Sequence, residues 1–217
     1  MAKLNFDLRP VDTRHTLSAI RKYLQIMEEQ MPTIESKELS DLEAERPTSG
    51  CEEEYSIFSS IVSHTENLFE EDIIPTMRYS FVVFLHTVFE TRLRSLCDDV
   101  KQEKGIPISV SELRGSAIDQ ARDYLSKLAD IQVGSYGEWN SLRDFQKIRD
   151  CIVHSYGFVS SGERGGKAVE RIIEGSSELT LNHRRRICPT RGFCLRQLEA
   201  VEAFLNRLMA DMGWEIK

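Results

Sequence analysis

The stretch PTMRYSFVVFLHTVFETRLRSLCDDVKQEK, residues 75–104, decides the fold. Within it Phe81, Leu85, Val88, Phe89, Leu93, Leu96, Cys97 and Val100 recur in the steps of three and four that align side chains on one face of an α-helix. That face is wide and uninterrupted, so the helix belongs at the centre of a core. Pro75 suits a first helical turn, where its missing N–H costs nothing, and Gly105 followed by Ile106-Pro107 ends the run.

Upstream, Leu17, Ile20, Leu24 and Met27 mark an amphipathic helix over residues 12–31, capped by Asp12 or Thr13 and ended by Pro32. The polar, acidic segment from Thr33 to Gly50 reads as a loop or linker. A second helix, from about Glu52 to Asp72, carries Tyr55, Phe58, Ile61, Val62, Leu68 and Phe69. Downstream, Ser109 or Ser111 can cap a fourth helix that runs to about Asp130 through Leu113, Ile118, Ala121, Leu125 and Leu128. Gly134 and Gly137 mark a turn, and a fifth helix from about Glu138 presents Trp139, Leu142, Phe145, Ile148 and Ile152.

The texture changes after Tyr156. Five of the twelve glycines lie between Gly157 and Gly175, and Glu178-Leu179-Thr180-Leu181 alternates polar with apolar. Residues 157–190 therefore read as an inserted excursion holding a small β-hairpin. A last helix from about Arg191 to Met212 follows, with Leu198, Val201, Leu205, Leu208 and Met212 on its apolar face. The expected fold is all-α: one helical-bundle domain over residues 1–217, with 1–72 as an N-terminal helical extension.

Hydrophobic residues at 41% and charged residues at 29% fit an ordinary globular domain. No apolar run approaches the length of a membrane span, and Met1–Pro10 lacks the apolar stretch of a secretory leader, so a cytoplasmic location without membrane contact is expected. The five cysteines, Cys51, Cys97, Cys151, Cys188 and Cys194, are odd in number and scattered, which suits reduced thiols. A net charge of −7 argues against non-specific coating of nucleic acid. Residues 143–196, however, hold eleven Lys/Arg against six Asp/Glu, a local +5 that leaves −12 for the rest. A local RNA site is compatible with that distribution, and so is ordinary solvated surface.

Chemistry gathers at Arg149-Asp150-Cys151-Ile152-Val153-His154-Ser155-Tyr156, an R-x4-H-x-Y spacing at the end of the fifth helix. An arginine can hold a phosphate through two parallel hydrogen bonds, and a histidine titrates close enough to neutrality to move a proton. On a regular helix Arg149 and His154 diverge by about 140°, so one copy cannot aim both at a single phosphate. Either the helix ends near His154 and the chain swings it round, or a second copy contributes. Asp150 lies four residues before His154, the spacing at which a carboxylate can orient an imidazole. Tyr156 would return to the direction of Arg149 if the helix continued.

These residues resemble the signature of the HEPN family of small helical ribonucleases and toxins: an arginine, a polar neighbour, here Asp150, then a histidine after a short gap. The match covers mainly residues 75–156 and 191–212. The resemblance implies a metal-independent endoribonuclease, a toxin or antiphage-defence effector, acting as a homodimer whose two motifs line one cleft. His154 would be general base or acid, Arg149 would stabilise charge on the phosphoryl oxygens, and Asp150 would position the imidazole or the RNA. It also implies a possible cognate antitoxin or nucleotidyltransferase partner that silences the enzyme by adenylylating Tyr156. The alternative, from another class, is a non-catalytic module of the same fold that holds RNA, a nucleotide or a protein.

Three further groups bear on that reading. His86 and Glu90 form an i, i+4 pair on the central helix, read as a hydrogen-bonded core pair that supports the site in preference to half of a metal centre. Arg184-Arg185-Arg186, followed by Arg191 and Arg196, is the densest positive cluster, either an RNA backbone contact or a solvated hairpin tip. His183, Cys188 and Cys194 lack the paired spacing of a zinc site. No P-loop, dinucleotide fingerprint, nucleophile elbow or H-E-x-x-H element is present, and no cofactor or metal is expected.

Overall fold

The computed structural model describes residues 8–214 except 161 and 163, so most of the Met1–Pro10 leader reading falls outside the described residues. Among the described residues seven α-helices and a two-stranded hairpin follow one another: α1 (Arg9–Ala44), α2 (Glu52–Leu68), α3 (Ile74–Lys104), α4 (Ala117–Leu128), α5 (Trp139–Ser155), α6 (Arg164–Glu174), β1 (Leu179–Leu181), β2 (Ile187–Pro189) and α7 (Arg191–Asp211). The all-α expectation holds.

α3 is the central helix. Phe81, Val82, Leu85 and Phe89 are wholly shielded from solvent, and α4, α5 and α7 pack around it. Phe204 of α7 meets Phe89, Tyr136 and Trp139 edge-on or tilted at 5.4–6.0 Å between ring centres, an aromatic knot that locks α3, α5 and α7 together. α1 lays Leu17, Ile20 and Leu24 on the same core.

One expectation about proline is corrected, and the other, Pro75 in a first helical turn, holds. α1 does not stop at Pro32 but continues to Ala44, so residues 33–44 are helix and not a linker. From Arg9 to Ala44 the chain has no glycine, and its second half is rich in Glu, with Met, Leu and Gln beside it, residues that favour helix strongly enough to carry it past one proline. Pro75 does fall in the first turn of α3, yet nothing breaks before it. A π turn over Phe69–Ile73 joins α2 to α3, with the N–H of Ile74 reaching back five residues to the carbonyl of Phe69. The wider turn makes room where the proline ring would meet the carbonyl four residues before it.

Two smaller differences follow the same logic. Ser109 caps a short 3-10 turn (Val110–Glu112), and α4 begins only after Ser116, whose hydroxyl accepts from the N–H of Asp119. The excursion over 157–190 contains the expected hairpin, Leu179 pairing with Pro189 and Leu181 with Ile187, but also α6, which glycines at its start had masked. Arg78 ties these parts together: it grips the Glu28 carboxylate of α1 through Nε at 2.8 Å and Nη2 at 2.9 Å and donates from Nη1 to the carbonyl of Pro189 at 3.0 Å.

Candidate active site

The rotation of α5 is set by Trp139, Leu142, Phe145, Ile148 and Ile152, all buried in the core. Arg149, next to Ile148, consequently lies at the margin of that face and turns toward α3. Its Nη1 donates to Asp150 Oδ1 at 2.8 Å, and its Nη2 lies 3.7 Å from Glu90 Oε2. Its Nε is shut off from water without a partner. The same Glu90 oxygen stands 3.7 Å from His86 Nδ1, too far for a hydrogen bond, and His86 itself is completely buried beside Phe89 and Phe145 with neither ring nitrogen partnered. The His86 ring first, then Arg149 and Arg94, hold the Glu90 carboxyl below its ordinary range against the opposing effect of burial. Helical spacing thus brings His86 and Glu90 under Arg149 as a supporting row, although the expected hydrogen bond between them is not formed.

His154 occupies the last turn of α5 and is exposed. Asp150 is not its orienting partner, because that carboxylate is engaged by the neighbouring guanidinium. The helix ends immediately beyond: Tyr156 takes a left-handed conformation, φ 52° and ψ 34°, and the N–H of Gly157 donates to the carbonyl of Cys151 at 3.2 Å. Tyr156 therefore does not return to the direction of Arg149. It leans on the start of α3, its hydroxyl 3.0 Å from Thr76 Oγ1 and its ring edge-on to Tyr79. A bulky residue in this region of backbone space is a genuine outlier, usually left to glycine or asparagine at a helix end. The contacts of the tyrosine ring over-determine it. Half of Tyr156, 51%, remains exposed.

The three arginines of the hairpin turn do not behave alike. Arg184 is exposed, 3.9 Å from Asp72, and Arg185 pairs with Glu170 of α6. Arg186 is buried, 3% exposed, and so cannot contact an RNA backbone from outside. Its guanidinium pairs with Asp72 and lies 4.3 Å from the ring centre of Tyr156 and 5.7 Å from those of Tyr79 and Phe158. Burial is the main cause that pushes the Tyr79 phenol up to about 12, with Arg186 opposing it. Cys151, one helical turn beyond Lys147, has its thiol pushed up by burial, the opposite of what a thiolate nucleophile needs.

Sequence reasoning missed Glu71, Asp72 and Thr76. His183 Nδ1 stands 3.1 Å from Glu71 Oε1 and Arg186 pairs with Asp72, so the π turn and the hairpin meet through polar side chains. The signal was present as an acidic run, Glu70-Glu71-Asp72, facing a basic one, but only the fold shows that they touch.

Among the described residues no three His, Cys, Asp or Glu side chains are grouped to hold a metal ion, and no helix is long and apolar enough to cross a membrane. Compared with protein-family models, with curated proteins and with solved structures, the chain matches none of them. The class that fold and geometry define is an all-α chain with a polar row, Glu90, Arg149 and Asp150, beside an exposed histidine at one helix end.

Proposed function

We propose that this chain is a metal-independent endoribonuclease of the HEPN type, a toxin or antiphage-defence effector working as a homodimer. The observation that carries the reading is the end of α5, where exposed His154 sits among the exposed apolar side chains of Val153, Tyr156 and Phe158, a short helical step from Arg149. A polar pair rimmed by uncovered apolar groups suits a cleft closed by a second copy. The divergence between Arg149 and His154 asks for the same thing.

In that cleft His154 takes the proton from a ribose 2′-hydroxyl, whose oxygen attacks the adjacent phosphorus. The P–O5′ bond breaks, and the leaving 5′-oxygen receives a proton from the His154 of the second copy, leaving a 2′,3′-cyclic phosphate and a 5′-hydroxyl. Arg149 supplies the cation for the phosphoryl oxygens, exchanging its loose 3.7 Å contact with Glu90 for the substrate. The exposed Tyr156 hydroxyl is open to a nucleotidyltransferase, and a nucleotide attached there would place negative charge beside the cleft.

One observation favours a second reading. Arg149 is held on both sides by Glu90 and Asp150 and is half-buried, as befits a structural arginine in a non-catalytic binding module. Purified chain incubated with total RNA in excess EDTA separates the two. The nuclease reading expects cleavage that His154→Ala and Arg149→Ala each reduce by roughly 10²-fold or more, with unchanged circular dichroism and a dimer by sedimentation. Alanine variants that cut as fast as the wild type, or no cleavage by any form, transfer the assignment to the binding module.

A further inference from the structure

A cleft of about 400 Å³ opens on the other side of α5, between α5, α6, β1 and the first turns of α7. Ile148 lines it, whereas its neighbour Arg149 turns to α3, so the cleft and the candidate active site lie on different faces of one helix. Phe145 and Phe193 form part of an apolar floor, both almost wholly buried. Over that floor the walls are polar, with hydroxyls from Ser176 and Ser177 and guanidiniums from Arg171 and Arg196.

The unexplained group is Gln197. Its side chain lines the cleft, is 7% exposed, and its Oε1 is shut off from water with no hydrogen-bond partner. A helix position in the second turn of α7, packed toward α5, would ordinarily carry an apolar residue, and a buried acceptor without a donor destabilises the empty protein. Such a group is well used only if something brought into the cleft donates to it. The charges around it are unequally committed. Arg196 pairs with Glu178, and Asp144 on the α5 wall receives a hydrogen bond from Lys147 at 2.7 Å. Arg171 is exposed at the rim and makes no ion pair among the described residues.

We infer that this cleft is a binding site for a mononucleotide, with the base on the Phe145–Phe193 floor, its N–H edge donating to Gln197 Oε1, and the phosphate drawn to Arg171. The volume lies in the range of small-ligand pockets, and a side-chain amide is a donor–acceptor pair matched to the edge of a nucleobase. One uncommitted cation suits a single phosphate better than a triphosphate. The same chemistry is offered by a free nucleotide and by the 5′-phosphorylated end of a nucleic acid.

Isothermal titration calorimetry on the full chain tests this with four probes: AMP, adenosine, inorganic phosphate and the 5′-phosphorylated deoxydinucleotide pdApdA, which lacks the 2′-hydroxyl and cannot be cut. AMP is expected to bind more tightly than adenosine or phosphate alone. Arg171→Ala, a surface change, should lower its affinity to that of adenosine. Gln197→Met, near in shape but without the acceptor, should weaken AMP and adenosine alike by about tenfold while leaving the melting temperature equal or higher. Tighter binding of AMP than of pdApdA assigns the site to a free nucleotide, and the reverse order assigns it to a nucleic-acid end; both uphold the site. Absence of AMP binding at millimolar concentration, or binding that neither variant alters, overturns it, and neither result depends on whether His154 cleaves RNA.

Discussion

Along α3 twelve side chains are buried, whereas along α2, joined to it through the π turn, only Phe58 is. α1 shows the same contrast within one helix: Thr13, Leu17, Ile20 and Leu24 are buried, nothing beyond Leu24 is, and Ile34 stands exposed. The molecule thus has a bundle, built from α3, α4, α5, α7 and the first half of α1, and an outer arm made of the rest of α1 with α2, where Ile57 and Ile61 are open to solvent. In the bundle, neighbours dictate conformation strongly enough to hold a tyrosine in left-handed space. In the arm, the chain's own helix propensity dictates it. The two regions should therefore answer differently to substitution.

The largest difference is expected at Gly157. Its φ is +79°, and a Cβ placed there would stand 2.1 Å from the hydroxyl of Tyr79. That phenol cannot simply step aside, since it is buried and donates to the carbonyl of Ile187. Backbone strain and overpacking together make Gly157→Ala cost about 2–5 kcal/mol. Ile61→Ala in the arm should stay within about 0.5 kcal/mol, the usual range for an exposed site. Urea denaturation of both variants decides it, and equal losses would erase the distinction between bundle and arm.

A smaller effect sharpens the same contrast through pH. The Tyr79 phenol, pushed up to about 12 in the folded chain from an ordinary value of 10.0, favours the folded state while neutral. That contribution is whole below pH 10 and disappears as pH rises through 12, amounting to about 3 kcal/mol at most. Burial also pushes the thiols of Cys97 and Cys194 up to about 12, so the bundle as a whole should weaken in alkali. Tyr79→Phe should show a shallower loss between pH 10 and 12 than the wild type. Parallel curves would mean that the phenol titrates as it does in the unfolded chain.

What could be read from sequence follows the same division. The apolar rows of α3, α5 and α7 announced themselves because burial selects their spacing, and Arg149, Asp150, His154 and Tyr156 stood out as residue types. Their partners did not. Glu90 was visible as a neighbour of His86 by helical period, but its approach to Arg149 depends on how α5 packs on α3. The engagement of Asp150 by Arg149, instead of by His154, is a choice between two local partners that spacing alone leaves open. Arg186 and Asp72 lie far apart in the chain, and no periodicity relates a π turn to a hairpin. α6 was obscured because Gly165 and Gly166 at its start read as loop, and the outer half of α1 because Pro32 read as a stop.

Pro32 provides the smallest and most selective probe. Inside a helix, proline forfeits one hydrogen bond and crowds the carbonyl four residues back, here that of Glu28, at a cost of about 3 kcal/mol relative to alanine. Pro32→Ala removes that cost but releases conformational freedom in the unfolded chain, which takes back about 0.4–1 kcal/mol. A helix relieves part of that crowding by local adjustment around its proline, so the net stabilisation should be on the order of 1 kcal/mol. Its location matters more than its size. Because no residue of α1 beyond Leu24 is buried, the gain should appear as slower amide hydrogen exchange in residues 32–44, with the denaturation midpoint of the bundle almost unmoved. The Glu28–Arg78 pair, which anchors α1 one turn before the proline, marks where the two behaviours should divide. A destabilised bundle in Pro32→Ala would show instead that the proline sets the angle at which Glu28 meets Arg78, and that the arm is mechanically part of the bundle.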